Sequence, residues 1–389
     1  MAYAVRLGMW GSANPLYPTF DSFKETLTRR GVGAMEMLAL EMKRQGIFSS
    51  RTLSWEGADF HTVEVALSQS RTTQYDGAVQ WWFKAKEEIS DALQKVNMSG
   101  NMIWRLFYSA QQRFFKEMCI CSKVDEIVAQ SKEYLENGHA IVIGLQSTGE
   151  AGMDVTLNEL AESLGQGSKT DLEKVDLPNL LSTCGSIMSN FLISHFPVSM
   201  PPPEAPRIPS VPPNGFSSDF ERAEHMRLSE MAEQIKRMPP PQPIRELVMR
   251  RQALLDSIKD LDLPPNPLDD IIDRFGVDNV AEMTGRSGRI LRKTENTFRY
   301  TKRFGAPKTS YGLQMPVSRE DESDRLNVKE RALFQSGKKS VAIISDAAST
   351  GVSLHADRRC KSSHKRRVHF TIELPWAADK AIQQLGRSQ

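Results

Sequence analysis

The chain has 389 residues, 40% of them hydrophobic and 25% charged, enough for two or three domains of ordinary soluble composition. Lys plus Arg total 50 against 48 Asp plus Glu, and a net charge of +2 excludes a uniformly basic coat protein or an acidic disordered chain while leaving room for local basic patches. The longest apolar runs fall far short of the ~20 residues of a membrane helix, and the opening MAYAVRLGMWGS lacks the apolar core of a signal peptide, so a soluble intracellular protein without a membrane partner is expected.

Over residues 1–125, Gly31-Val-Gly33 precedes a helix in which Met35, Leu38 and Met42 share a face, a spacing that suits a core stripe. A second helix is predicted from Ile103 to Met118. Trp104, Phe107, Phe114, Phe115 and Met118 line one of its faces, while Arg105, Arg113 and Lys116 project elsewhere. Such a helix is either buried through its aromatics or stacks bases on them. Cys119 and Cys121 form a lone C-x-C with no second ligand pair, so no metal site is predicted and reduced, mostly buried thiols are expected.

A helix over Asp125–Leu135 is closed by Asn137-Gly138. Ala140-Ile-Val-Ile-Gly-Leu145 follows, a short β-branched run that predicts a strand buried on both faces of a parallel sheet. Gln146, Ser147 and Thr148 come immediately after it. Open α/β sheets bind ligands at that strand end, and small polar groups there suit phosphate oxygens. Gly165–Thr170 imitates a phosphate-binding loop, but Ser168 separates the glycine from Lys169 and no strand precedes it. A solvated loop is expected there, and no other stretch matches the pattern.

The proline-rich stretch 197–213 cannot hold a regular helix or a central strand and reads as an extended linker, taken to 217. Helices over Asp219–Met238 and from Pro243 onward then predict a helical hairpin over 218–263. Leu268–Phe275 and Val277–Met283 are short amphipathic pieces. Between Arg286 and Lys308 there are eight Lys or Arg and one acid, interleaved with Phe298, Tyr300 and Phe304. Such a stretch either grips a nucleic-acid backbone, with Arg299 and Lys302 as contacts, or is a solvated twisted hairpin.

Lys339–Ser345 is another buried-type strand, running into Asp346-Ala-Ala-Ser-Thr350-Gly351. Arg358–Arg367 holds six Lys or Arg in ten residues, read as an import patch, a DNA contact or a charged hairpin tip. A third strand spans Val368–Leu374, and a short helix over Ala377–Leu385 leads to Gly386-Arg387.

AIISDAASTGVSLHADRR and RRVHFTIELPWAADKAIQQLGR closely resemble the helicase C domain of strawberry notch proteins. GLQSTGEA at 144–151 and LPPNPLDDIID…VAEMTGRSGR at 263–289 look like the same domain. RLGMWG, RRGVGAMEMLALEMK and QQRFFKEMC, all within residues 6–119, resemble the segment just before it. The resemblance implies an α/β fold: a RecA-like lobe over 126–389 carrying the proline-rich and helical insertion, preceded over 1–125 by the tail of the first lobe. It also implies a nuclear, chromatin-associated regulator of transcription with DNA, histones or transcription factors as partners, and an ATPase using ATP and Mg²⁺ in full-length members.

By the same resemblance, Asp346, Thr350 and Gly351 fall in the segment that couples nucleic-acid backbone to ATP, with Asp346 on the ATP side. Gln383, Gly386 and Arg387 would face ATP, Arg387 stabilising charge on the transferred phosphoryl group. Gln146, Ser147 and Thr148 would hold backbone phosphates. The family's G-R-x-x-R would end at residue 390 and its phosphate-binding loop would precede residue 1. The chain alone is therefore expected to be inactive as an ATPase and to bind neither ATP nor Mg²⁺ demonstrably. The alternative is a non-catalytic module that binds DNA, histones or transcription factors.

Overall fold

A computed structural model describes residues 2–12, 14–49, 59–146, 148–163, 169–203, 206, 208–211, 218–239, 241–295, 297–303, 319–345, 353–375 and 377–388. The chain divides into two compact units, Met1–Thr62 and Val63–Gln389. In the first, helix α1 (Phe20–Arg44) is N-capped by Thr19 and kinks at Gly31, whose φ of 72° is open to glycine and strained for other residues. Phe23 and Met42 are its buried side chains.

The second unit has three parts. Helices α2 (Gln69–Lys95), α3 (Asn101–Ser122), α6 (Thr183–His195) and α8 (Arg245–Ile258) share an aromatic core of Trp81, Trp82, Phe107, Phe114 and Phe191. Trp82 meets Phe107 edge-on, ring centroids 5.2 Å apart at 81°, a favoured aromatic geometry. Trp81 satisfies its indole N–H on Ser257 Oγ at 3.0 Å. The aromatic face predicted on α3 is therefore core: Phe107, Phe114 and Met118 are buried, and Trp104 and Phe115 pack beside them.

The boundary expected at 125 falls inside this unit. Helix α3 ends at Ser122, α4 (Val124–Glu136) begins two residues later, and α2 and α3 are buried by α6 and α8 from further along the chain. The hairpin expected over 218–263 is not a packed pair. Helix α8 packs on α2 and α6, whereas α7 (Asp219–Arg237) buries only Ala232.

The second part is a parallel sheet in the order β2-β5-β1-β6, made of β1 (Ala140–Leu145), β2 (Val280–Met283), β5 (Val341–Ser345) and β6 (Arg367–Thr371). Ile141 of β1 is in register with Val341 on one side and Val368 on the other. Alternation along β1 divides the core. Ile141, Ile143 and Leu145 meet α4 and α9 (Pro267–Phe275), while Ala140 and Val142 meet Phe334 of α10 (Arg319–Gln335) and Leu354. Both faces of the central strands β1 and β5 are covered, which is why these two read as continuous apolar runs.

The third part is a hairpin, β3 (Gly288–Thr294) and β4 (Thr297–Lys302), packed through Ile290, Phe298 and Tyr300 on Met153 and Leu157 of α5 (Glu150–Ser163) and on Leu172 and Leu177. This hairpin holds most of the basic stretch 286–308. The last element, α11 (Ala378–Leu385), follows β6.

Candidate functional site at the carboxyl edge of the sheet

Strand β1 ends at Leu145, and the loop after it is pinned from three directions. Gly149 has φ +69°, and a Cβ there would stand 2.9 Å from Thr183 Cγ2, so only glycine fits. Asn266, 1% exposed, donates to Thr148 O at 3.2 Å and to Thr183 Oγ1 at 2.7 Å. Its Oδ1 accepts from the amides of Leu268 and Asp269, making it the N-cap of α9 with Pro267 at the first helical position. Glu150 Oε1 accepts from Ser287 N at 2.7 Å and Ser287 Oγ at 2.8 Å.

Behind this loop lies a buried ion cluster. Arg286 donates from Nη1 to Asp269 Oδ1 and from Nε to Glu282 Oε1, each at 2.6 Å. Arg303 caps the carbonyls of Glu282, Thr284 and Arg286 at 2.7 to 3.1 Å. Burial opposes ionisation of Glu282, but Arg286 and Arg303 outweigh it and hold the carboxyl at about 2. The cluster fixes the start of β3 against α9 and β2.

Helix α11 closes the edge on the α10 face. Gln383 is exposed, whereas its neighbour Gln384 is buried and lies across Gly144 of β1. Gln146 Nε2 donates to Gln384 Oε1 at 3.4 Å, joining the strand-end loop to α11. Gly386 is the C-cap. Arg387 O accepts from Leu354 N at 2.7 Å, tying the end of α11 to the segment after β5. His369 of β6 sits beneath, its Nδ1 2.7 Å from Ser388 Oγ, and burial pushes its imidazole down to about 4.

Gln146, Thr148, Gln383, Gly386 and Arg387 thus all lie at this carboxyl edge. Ser147, Asp346, Thr350 and Gly351, with Phe304 and most of the 165–170 loop, lie outside the described residues. Arg299 and Lys302 lie on β4, in the hairpin. Arg299 Nε donates to Asp176 Oδ1 at 3.1 Å, and Asp176 also takes Lys293. Lys302 is exposed, and its backbone amide donates to Glu173.

Sequence reasoning missed Asn266, Arg286, Gln384 and His369. Asn-Pro ahead of an apolar helix was a visible capping signal for Asn266. Nothing in the sequence marked which glutamine of Gln383-Gln384 faces the sheet.

An all-parallel sheet covered on both faces, with a strand-end loop and a terminal helix joined over its carboxyl edge, is a RecA-like lobe of the helicase C type. Residues 266–389 match the family model described as the C-terminal domain on Strawberry notch homologue, and residues 1–77 match the one described as P-loop containing NTP hydrolase pore-1. The whole chain is 36% identical to protein strawberry notch homolog 1 of Rattus norvegicus and 33% identical to protein strawberry notch homolog 2 of Homo sapiens, covering 32% and 30% of their lengths. It is 29% identical to protein FORGETTER 1 of Arabidopsis thaliana, covering 35% of it. No solved structure matches the chain. The chain belongs to the strawberry notch family and spans about a third of the length of these relatives.

Proposed function

We propose that the chain supplies the second RecA-like lobe of a nucleic-acid-dependent ATPase that works in the nucleus on chromatin, with DNA, histones or transcription factors as its partners. The observation that carries this reading is the bridge from Gln146 to Gln384 together with the Leu354–Arg387 backbone bond. These join the loop suited to backbone phosphates, Leu354 and the chain just after α11. Binding at one therefore reaches the others through direct contacts.

The edge fits a nucleotide phosphate in one respect: Arg387 directly follows the Gly386 C-cap and its backbone is tied through its own carbonyl to Leu354, so the point from which its cationic side chain reaches out is fixed. ATP and Mg²⁺, when bound, supply the phosphoryl group to be transferred and a counter-charge for it. Arg387 would hold anionic oxygen, while Gln146 and Thr148 would orient the nucleic-acid strand.

The test joins this chain to the upstream lobe of a strawberry notch relative and measures nucleotide hydrolysis with and without duplex DNA. DNA-stimulated turnover that falls by about 10²-fold or more in Arg387→Ala supports the proposal. Turnover indifferent to Arg387, or no turnover with DNA still bound, sinks it and leaves a binding module.

A further inference from the structure

The connection from Leu354 to β6 returns the chain to the amino end of the sheet, where the Arg366 carbonyl accepts from Ala140 N at 2.9 Å. Between residues 357 and 366 it carries five Lys or Arg, one His and a single acid.

The loop is built around a cation of its own. Arg367 donates to Leu354 O at 2.9 Å, Ser362 O at 3.1 Å, Lys365 O at 2.9 Å, Ser362 Oγ at 2.8 Å and Gln335 Oε1 at 3.1 Å. Its guanidinium also lies over the Phe334 ring at 5.0 Å. Ser362, 1% exposed, is anchored from both its amide and its hydroxyl to Gln335 O. Tight turns at Asp357–Cys360, Cys360–Ser363 and Ser362–Lys365 complete the loop.

The inward-facing carbonyls are thus taken up by Arg367, and the single acid is taken up by Arg359, which grips Asp357 through Nε and Nη2 at 2.6 to 3.1 Å. Arg358, Lys361 and His364 stay exposed, Lys365 partly so, and Lys338 is exposed beside Gly337, which packs against Ser362.

We propose that loop 357–366 is a preformed docking site for the phosphodiester backbone of a nucleic acid, at the end of the sheet opposite Gln146 and Arg387. Arg, Lys, Ser and His are the side chains that meet phosphate oxygens. A loop already held by its own hydrogen bonds loses little freedom on binding. Its sequence, DRRCKSSHKR, has no large apolar side chain to enter a lipid surface or to seat the side chains of a peptide. The site needs neither nucleotide nor a first lobe, so its failure is separable from failure of the ATPase reading.

The test is anisotropy of a labelled mixed-sequence DNA duplex titrated with the 389-residue chain over a range of salt. The triple change Arg358→Gln, Lys361→Gln, Lys365→Gln weakens binding at least about tenfold and lowers the slope of log K on log salt by about 2 to 3. An equal charge removal on α7, Arg227→Gln, Lys236→Gln, Arg237→Gln, changes affinity less than about twofold. Arg367→Lys keeps the charge but loses the fork, and it lowers affinity with little change of slope. Equal losses from both triples would reduce the effect to net charge and overturn the site. So would unchanged binding in the loop triple, or competition by polyglutamate as effective as by DNA, which would point to an acidic protein instead.

Discussion

Gln384 lies directly over Gly144, and a Cβ on Gly144 would stand 2.9 Å from Gln384 Cδ and 3.1 Å from His369 Nε2. The missing side chain near the carboxyl end of β1 is what lets α11 seat on the sheet. Gly144→Ala should therefore cost about 1 to 3 kcal/mol of stability, the range for overpacking a filled interior. Urea unfolding of the two chains measures it. If the midpoints coincide, α11 is not held by this contact.

Arg286 is 4% exposed and serves two buried acids, Asp269 and Glu282. Replacing it by Met takes away the ion partner of Asp269 and the closest one of Glu282, which keeps only the longer contacts to Arg303 and Arg289, and about 3 to 5 kcal/mol of destabilisation follows. Changing all three to apolar residues of similar volume should restore part of that loss, since the two acids no longer stay buried without Arg286, while Arg303 gives up its acid and keeps the carbonyls of Glu282, Thr284 and Arg286. Thermal melts of the single and triple variants test the pair of expectations.

His369 gives the protein an acid sensitivity of defined sign. Its imidazole titrates near 6.5 when exposed and at about 4 when folded. The unfolded chain therefore takes up the proton first, and the stability contributed by the neutral ring is present above pH 6.5 and lost as pH falls toward 4. The loss is at most about 3 kcal/mol. His369→Gln should flatten the dependence of Tm on pH in that window, leaving any residual slope to other groups.

Asp176 receives both Lys293 and Arg299 on the exposed face of the hairpin. These contacts hold its carboxyl below the usual carboxylate range. If the hairpin also meets phosphates, Asp176 competes for two of its cations. Asp176→Asn should then tighten duplex binding and steepen the salt slope by about one, while Lys302→Ala weakens it. Duplex titrations that leave both variants like the parent assign the hairpin to packing alone.

Much of this architecture was legible along the chain and little of it across the chain. The run Ala140–Leu145 and the strand ahead of Asp346 were readable because both faces are buried, which leaves an uninterrupted apolar signal. Strand β2, four residues with a buried Glu282 paired to Arg286, carried no such signal and read as an amphipathic fragment. Basic residues from Arg286 to Arg303 looked like one patch, yet Arg286 and Arg303 point into the interior. A charge run does not disclose which of its members have acids waiting 20 or more residues earlier, as Asp176 waits for Arg299. At the carboxyl edge, Gln383 and Arg387 were pointed to only by the family resemblance, and the inward turn of Gln384 depends on the phase of a helix of eight residues.

The backbone bond from Ile244 N to Val198 O, 2.7 Å long, joins the start of the proline-rich stretch to the residue just before α8, beside the aromatic bundle. The chain thus leaves and returns at one neck, Val198 and Ile244, as a bight, with α6 and α8 packed on one another beneath it. Lengthening such a bight is thermodynamically cheap, about 0.6 kcal/mol for each doubling. Evolution can lengthen or shorten the insertion, and an experimenter can place a fluorescent domain there, without disturbing the sheet. A single proteolytic nick in it would leave two fragments that still travel as one particle.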